Sequence, residues 1–138
     1  MSGILLTSGQ VDILNVYFLN TAVRTTLYLG LMTNTTNPTV GQQLGSGITE
    51  VSGTGYNRIT LTRNTDWSIL SDTITAAQKT FTVGSGGWSA VNGYFVALSS
   101  GGADAVMAEA FEAQRQGDKL EGDIVKVTVN YQQKDNSQ

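Results

Sequence analysis

The chain contains no cysteine and no histidine, a single proline, and few charged residues. Without cysteine it can hold neither a disulfide framework nor a thiolate site. With histidine missing as well, the common zinc sites and the usual nucleophile-and-base pairs are excluded. Charged side chains make up 14% of the residues, well under the quarter or so usual in soluble domains. The 8 Lys and Arg are scattered rather than gathered into runs, against 11 Asp and Glu. Neutralising a phosphate backbone takes clustered cations, so no nucleic-acid partner is expected. No apolar run approaches the length of a membrane span. The opening "MSGILLTSG" has only three consecutive large apolar residues, Ile4, Leu5 and Leu6, and no basic residue, so it does not read as a signal peptide. Asn34-Thr35-Thr36 is a glycosylation sequon that, lacking a secretory signal, reads as chance.

What is present is glycine, serine, threonine and asparagine in abundance, in 138 residues, the length of one domain. A polar but weakly charged surface of this kind suits a protein packed against other proteins, although an ordinary extracellular β-domain would look similar. From about Gly9 to Asn20, Val11, Leu14, Tyr17 and Phe18 fall on one helical face, with Thr7 and Gln10 at capping-box spacing. The periodicity predicts one short helix over residues 7–20. Residues 1–6 precede it as an apolar arm. In "TTLYLGLM" the leucines 27, 29 and 31 alternate as a strand should. A long loop follows from Thr33 to Gly55, carrying Pro38 and a short edge strand near Ile48 to Val51.

In "GTGYNRITLTRNTDW" a glycine pair leads into a strand in which Ile59 and Leu61 point one way and Arg58, Thr60 and Thr62 the other. Phe81 and Val83, the run "GYFVAL", and "DAVMAEAF" read as further strands, although Ala and Glu in the last also suit a helix. Val125, Val127, Val129 and Tyr131 alternate most clearly, and residues 132–138 are expected to fray as a flexible tail. About seven or eight short strands between turn-rich connections predict a mainly β fold, an antiparallel sandwich or jelly roll with one N-terminal helix.

Chemistry is sparse. Acid pairs such as Asp104 with Glu109, or Glu112 with Asp118, cannot be shown from sequence to meet across a cleft, as a glycosidase requires. The cluster Asp118, Glu121 and Asp123 offers oxygen ligands for calcium, but its spacing matches no EF-hand and Lys119 sits among the acids, so a solvated turn is the better reading. The glycine-rich segments at 45–47, 53–55 and 84–87 are not phosphate cradles, because "GTG" leads into a strand rather than a helix. Turns and bulges account for them better. Trp67 and Trp88 belong to the core or to a subunit contact more readily than to a sugar site, given the apolar area each must hide. No catalytic residue, metal or cofactor is expected.

The order of motifs resembles a group of small virion proteins of tailed bacteriophages: "LTSGQVDILNVYFLN", then "TLYLGLMTN", "GTGYNRITLTR", a tryptophan, "GYFVALSSGG" and a "GD" turn before the last strand. The resemblance runs from about Leu6 to Val129, and such proteins are capsid cement or decoration proteins, head fibres and tail fibres. It implies a non-enzymatic structural role. Gly53 and Gly55 would let the loop turn into the strand, Tyr56 would cover the core edge, and Arg58 would present its donors on the outer face. The favoured position is a cement bridging copies of the major capsid protein at the capsid surface, as a homo-oligomer, a trimer, made in the host cytoplasm. Ile4, Leu5, Leu6, Trp67 and Trp88 are the candidate interface residues, Ile4–Leu6 as an arm ordered by a partner or else an edge strand of the same sheet. The alternative is a tail fibre or adaptor engaged in host-surface attachment, against which stands the lack of a long coiled-coil or β-helical stalk. A carbohydrate-active enzyme is the third and least favoured class.

Overall fold

The computed structural model describes residues 3–132. Its strands are β1 (Ile4–Leu5), β2 (Thr26–Met32), β3 (Gln43–Leu44), β4 (Gly47–Ile48), β5 (Ile59–Thr62), β6 (Trp67–Leu70), β7 (Thr73–Ala76), β8 (Lys79–Thr82), β9 (Gly93–Ala97), β10 (Ala105–Ala110), β11 (Ile124–Val127) and β12 (Asn130–Gln132). One helix, α1 (Thr7–Phe18), lies between β1 and β2, and a single 3-10 turn spans Ala113–Arg115. The protein is mainly β with one N-terminal helix, as expected. Its strands are divided among a five-stranded antiparallel sheet in the order β1-β10-β9-β2-β5, a three-stranded sheet β12-β7-β6, the pair β11-β8, and the short parallel pair β3-β4. A two-sheet sandwich or jelly roll is a finer description than this division makes.

Side chains alternate along each strand, and the central strands β9 and β10 are buried on both faces. Leu29, Leu31, Tyr94 and Val96 face one cluster, shared with Phe81, Val83, Trp88, Val125, Val127 and Val129. Met32, Phe95 and Ala97 face the other, shared with Leu6, Leu44 and Ile48. In β10 the register slips between Ala105 and Met107, and Val106 and Met107 both face the first cluster, the signature of a β-bulge. The valine run 125–129 is buried as predicted, but it is split: β11 pairs with β8, and β12 with β7. The loop 33–55 folds onto the sheet, carrying β3 and β4 and burying Leu44, Ile48 and Val51.

Three expectations change. The capping box does not form: the N-cap is Leu6, the Thr7 hydroxyl donates to the Val40 carbonyl at 3.0 Å, and Gln10 Nε2 donates to the Leu5 carbonyl at 3.3 Å. Residues 4–6 do not stand off as an arm, since β1 pairs antiparallel with β10 and Leu6 is fully buried. Within the expected tail, Gln132 belongs to β12, and residues 133–138 lie outside the described residues. No helix among the described residues is long and apolar enough to cross a membrane.

Candidate functional site

The glycine-rich start of β5 builds the main polar cluster. Gly55 turns the chain at φ +79° and Gly53 at +156°, where an added Cβ on Gly53 would strike the Trp88 indole, with Nε1 at 2.9 Å. The turn aims Tyr56 inward. Its ring stacks on Phe81 at 6.2 Å and meets Trp88 edge-on at 5.4 Å. Its hydroxyl accepts the Leu31 N–H at 2.9 Å and donates to Glu50 Oε2 at 2.8 Å. Burial pushes the Tyr56 phenol far above its ordinary pKa, and the Glu50 carboxylate adds to that effect.

Arg58 points away from this first cluster, as alternation predicts, but it is not on an open outer face. Its side chain is 4% exposed. Nε donates to Glu50 Oε2 at 2.9 Å and Nη2 to Glu50 Oε1 at 2.8 Å, a bidentate pair. The remaining donors reach the Ser99 carbonyl at 2.7 Å and the Gly102 carbonyl at 2.9 Å. Its guanidinium lies 5.0 Å over the ring of Phe95. That ring in turn covers Gly30 across the β2–β9 pair, so closely that any Cβ on Gly30 would overlap it. The hydrogen bonds to Glu50 raise the Arg58 pKa further. The arginine is therefore a staple joining the folded-back loop to the turn after β9, with its fork spent inside the chain. Glu50 and Phe95, the partners that give Arg58 this role, carry no sequence signal, because loop 33–55 must fold back before they meet.

The other predicted residues separate. Trp88 is buried, donating Nε1–H to the Thr54 carbonyl at 2.9 Å, so it is a core residue and not an exposed contact. Ile4 and Leu5 are partly buried in the edge strand β1. Trp67 is half-buried at the start of β6. Asp104 accepts the Ser99 hydroxyl, while Glu109 lies five residues on along β10, roughly 17 Å away at strand rise, and takes the Tyr94 hydroxyl at 2.9 Å. Burial holds the Tyr94 phenol well above its usual value, with Glu109 contributing. Asp118 accepts the Ala90 N–H and Asp123 the Leu120 N–H, so the acidic turn is used for backbone bonds. Among the described residues no group of three acids is placed to hold a metal ion.

One concavity is mainly apolar. A groove of about 650 Å³ runs between α1 and the β6–β7 hairpin, walled by side chains that include Ile13, Val16, Val23, Trp67, Ile69 and Ile74. Neither the groove nor the hairpin was anticipated. A smaller polar recess of about 370 Å³ lies beside Glu50, Tyr56, Asn57 and Arg58. Each is lined by a single carboxylate, Asp12 in the groove and Glu50 in the recess, so neither holds a facing acid pair.

A family model described as podophage GP4 fiber I protein gp80 matches residues 6–133, nearly the whole chain. The chain belongs to this podophage fibre protein family. It is a structural component of the phage virion and not an enzyme. No curated protein matches the chain. Membership bears out the resemblance to tailed-phage virion proteins and shifts the position inferred from it: the family is one of fibre proteins, so the capsid-cement expectation gives way to the fibre reading. In this podophage fibre protein the Gly53–Arg58 cluster braces the fold, and the groove beside α1 is the surface left open.

Proposed function

We propose that the protein is a fibre component that takes part in host-surface attachment, anchored to the particle and assembled from several copies of itself. The observation that carries this reading is the fibre-family match over residues 6–133. The sparse charge and the apolar open face support a protein that works in an assembly. The missing stalk is no obstacle, since a short, mainly β chain can form the tip or joint of a fibre whose length comes from other chains.

Competition tests it. Purified protein is incubated with host cells before phage is added, and free phage is titrated over time. Slower adsorption in proportion to protein concentration, with no effect on an unrelated phage of the same host, is the expected result. Unchanged adsorption at saturating protein, together with antibody to the protein labelling the shell and leaving fibres bare, would remove the reading.

A further inference from the structure

We infer that the polar recess beside Glu50 is a binding site for a neutral saccharide, a mono- or disaccharide in size. The recess is read from the molecule itself, and the inference rests on the fibre reading only for where such a ligand is met, on the host surface.

The recess opens where loop 33–55 folds back against the start of β5 and the turn after β9. Its floor is a carboxylate that the fold holds in one place. Arg58 grips Glu50 through Nε and Nη2, and the Tyr56 hydroxyl donates to the same carboxylate at 2.8 Å. Those bonds take three of its roughly four acceptor positions, and the side chain, 28% exposed, brings the remaining one to the recess. An acceptor fixed in advance loses little entropy when a hydroxyl binds, and a hydroxyl donating to a carboxylate makes one of the stronger hydrogen bonds.

Around this floor stand Ser52, Asn57 and Ser100. All three are exposed, and none of their side chains belongs to the hydrogen bonds that hold the cluster together. Two hydroxyls and an amide can each both donate and accept. They converge with the fixed carboxylate on a space of about 370 Å³, within the ~300–1,000 Å³ of small-molecule sites, and that convergence points to a ligand.

Charge and shape select its class. Glu50 and Arg58 are opposite charges 2.8 Å apart and the Tyr56 phenol stays neutral, so the lining carries no net charge. An anion would need a free cation, whereas four of the five Arg58 donors are spent on Glu50, Ser99 and Gly102. A metal ion would need more than one carboxylate. A peptide would need an apolar pocket for an anchor, but Val51 is buried and the Tyr56 ring is occupied by Phe81 and Trp88. What fits is a small neutral molecule whose groups both donate and accept at close spacing, as the adjacent ring hydroxyls of a sugar do. With no open aromatic in the lining for the sugar to stack on, hydrogen bonds alone give a Kd on the order of millimolar, which several copies on one fibre would strengthen.

Nitrogen–proton correlation NMR of the labelled chain tests the site directly. Glucose, galactose, mannose, rhamnose and N-acetylglucosamine are each added to about 100 mM, far above a millimolar Kd. With at least one of them the amide signals of Ser52, Asn57 and Ser100 should shift together and saturate, while sodium phosphate should give no saturating shift there. Asn57→Ala, a change at an exposed position, should keep the rest of the spectrum in place and weaken that binding about fivefold or more, the loss of one or two hydrogen bonds. Ser100→Ala serves the same purpose should Asn57→Ala disturb the loop. Sugars that leave these three amides unmoved or move others instead, a variant that binds as wild type, or phosphate that saturates at the recess overturns the inference. Adsorption competition is scored separately. Competition without sugar-induced shifts removes this site and keeps the fibre reading, and shifts without competition do the reverse.

Discussion

Replacing Arg58 with methionine keeps an apolar stem of similar length and removes the fork. Four hydrogen bonds disappear, two to Glu50 and one each to the carbonyls of Ser99 and Gly102. Glu50 is 28% exposed and still accepts the Tyr56 hydroxyl, so water and that phenol can take up much of its charge. The Ser99 carbonyl is only partly accessible, and leaving it unpaired costs about 1–2 kcal/mol. Loss of the guanidinium from the Phe95 ring costs about 1 kcal/mol more. With the residual cost at Glu50, the total is about 3 kcal/mol, which for a chain of this length lowers Tm by roughly 10 °C. Lysine, a point charge without the planar fork, should recover less than half. Thermal and urea unfolding of Arg58→Met, Arg58→Lys, Glu50→Gln and the Arg58→Met/Glu50→Gln double variant measure this, with an expected coupling above about 1 kcal/mol. Arg58→Met within 0.5 kcal/mol of wild type, on the order of an ordinary surface change, would refute the staple and return Arg58 to the surface role its sequence position suggested.

Three further outcomes follow from the same geometry. Gly9→Ala should destabilise by about 1–3 kcal/mol despite alanine's better helix propensity, because its Cβ would sit 2.6 Å from the Val106 carbonyl oxygen and 2.8 Å from Leu5 Cδ1; a gain in Tm would show that α1 is not seated on β10. Gly55→Ala should cost about 1 kcal/mol for its positive φ alone, its Cβ meeting nothing nearer than 3.5 Å, whereas Gly53→Ala should cost more because the Trp88 indole must move; equal denaturation midpoints would count against that distinction. Two buried phenols, Tyr56 and Tyr94, have folded-state pKa values raised above the ordinary 10.0. Their contribution to stability is therefore whole below about pH 10 and is lost as pH rises beyond it, by up to about 2.7 kcal/mol per pH unit for the two. Tyr56→Phe should roughly halve that alkaline slope, and an unaltered slope would mean that Tyr56 ionises as readily folded as unfolded.

The strands that read clearly in the sequence are those whose alternation reports burial on one side: β2, β5, β8 and the valine run. The β6–β7 hairpin escaped because its exposed Ile69 and Leu70 and its Ser and Thr residues hide any inside-outside pattern, and because its turn uses Ser71 at φ 57° rather than a glycine. Periodicity located α1 but could not say which face is covered, and the face carrying Leu14 and Phe18 is the open one. Alternation likewise put Arg58 on the correct side of β5 while leaving unseen what covers that side. Glu50, Ser99 and Gly102 reach it only through tertiary folding. Tryptophan content could not distinguish Trp88, sealed against Tyr56 and Gly53, from Trp67, which lines the groove.

The central claim, that this chain is a fibre component of the virion, is tested most directly by its copy number in purified particles, taken by quantitative mass spectrometry against the major capsid protein. A fibre at the attachment apparatus predicts a small fraction of the capsid-protein count. A count comparable to the capsid protein would contradict the account and restore the shell-bridging role.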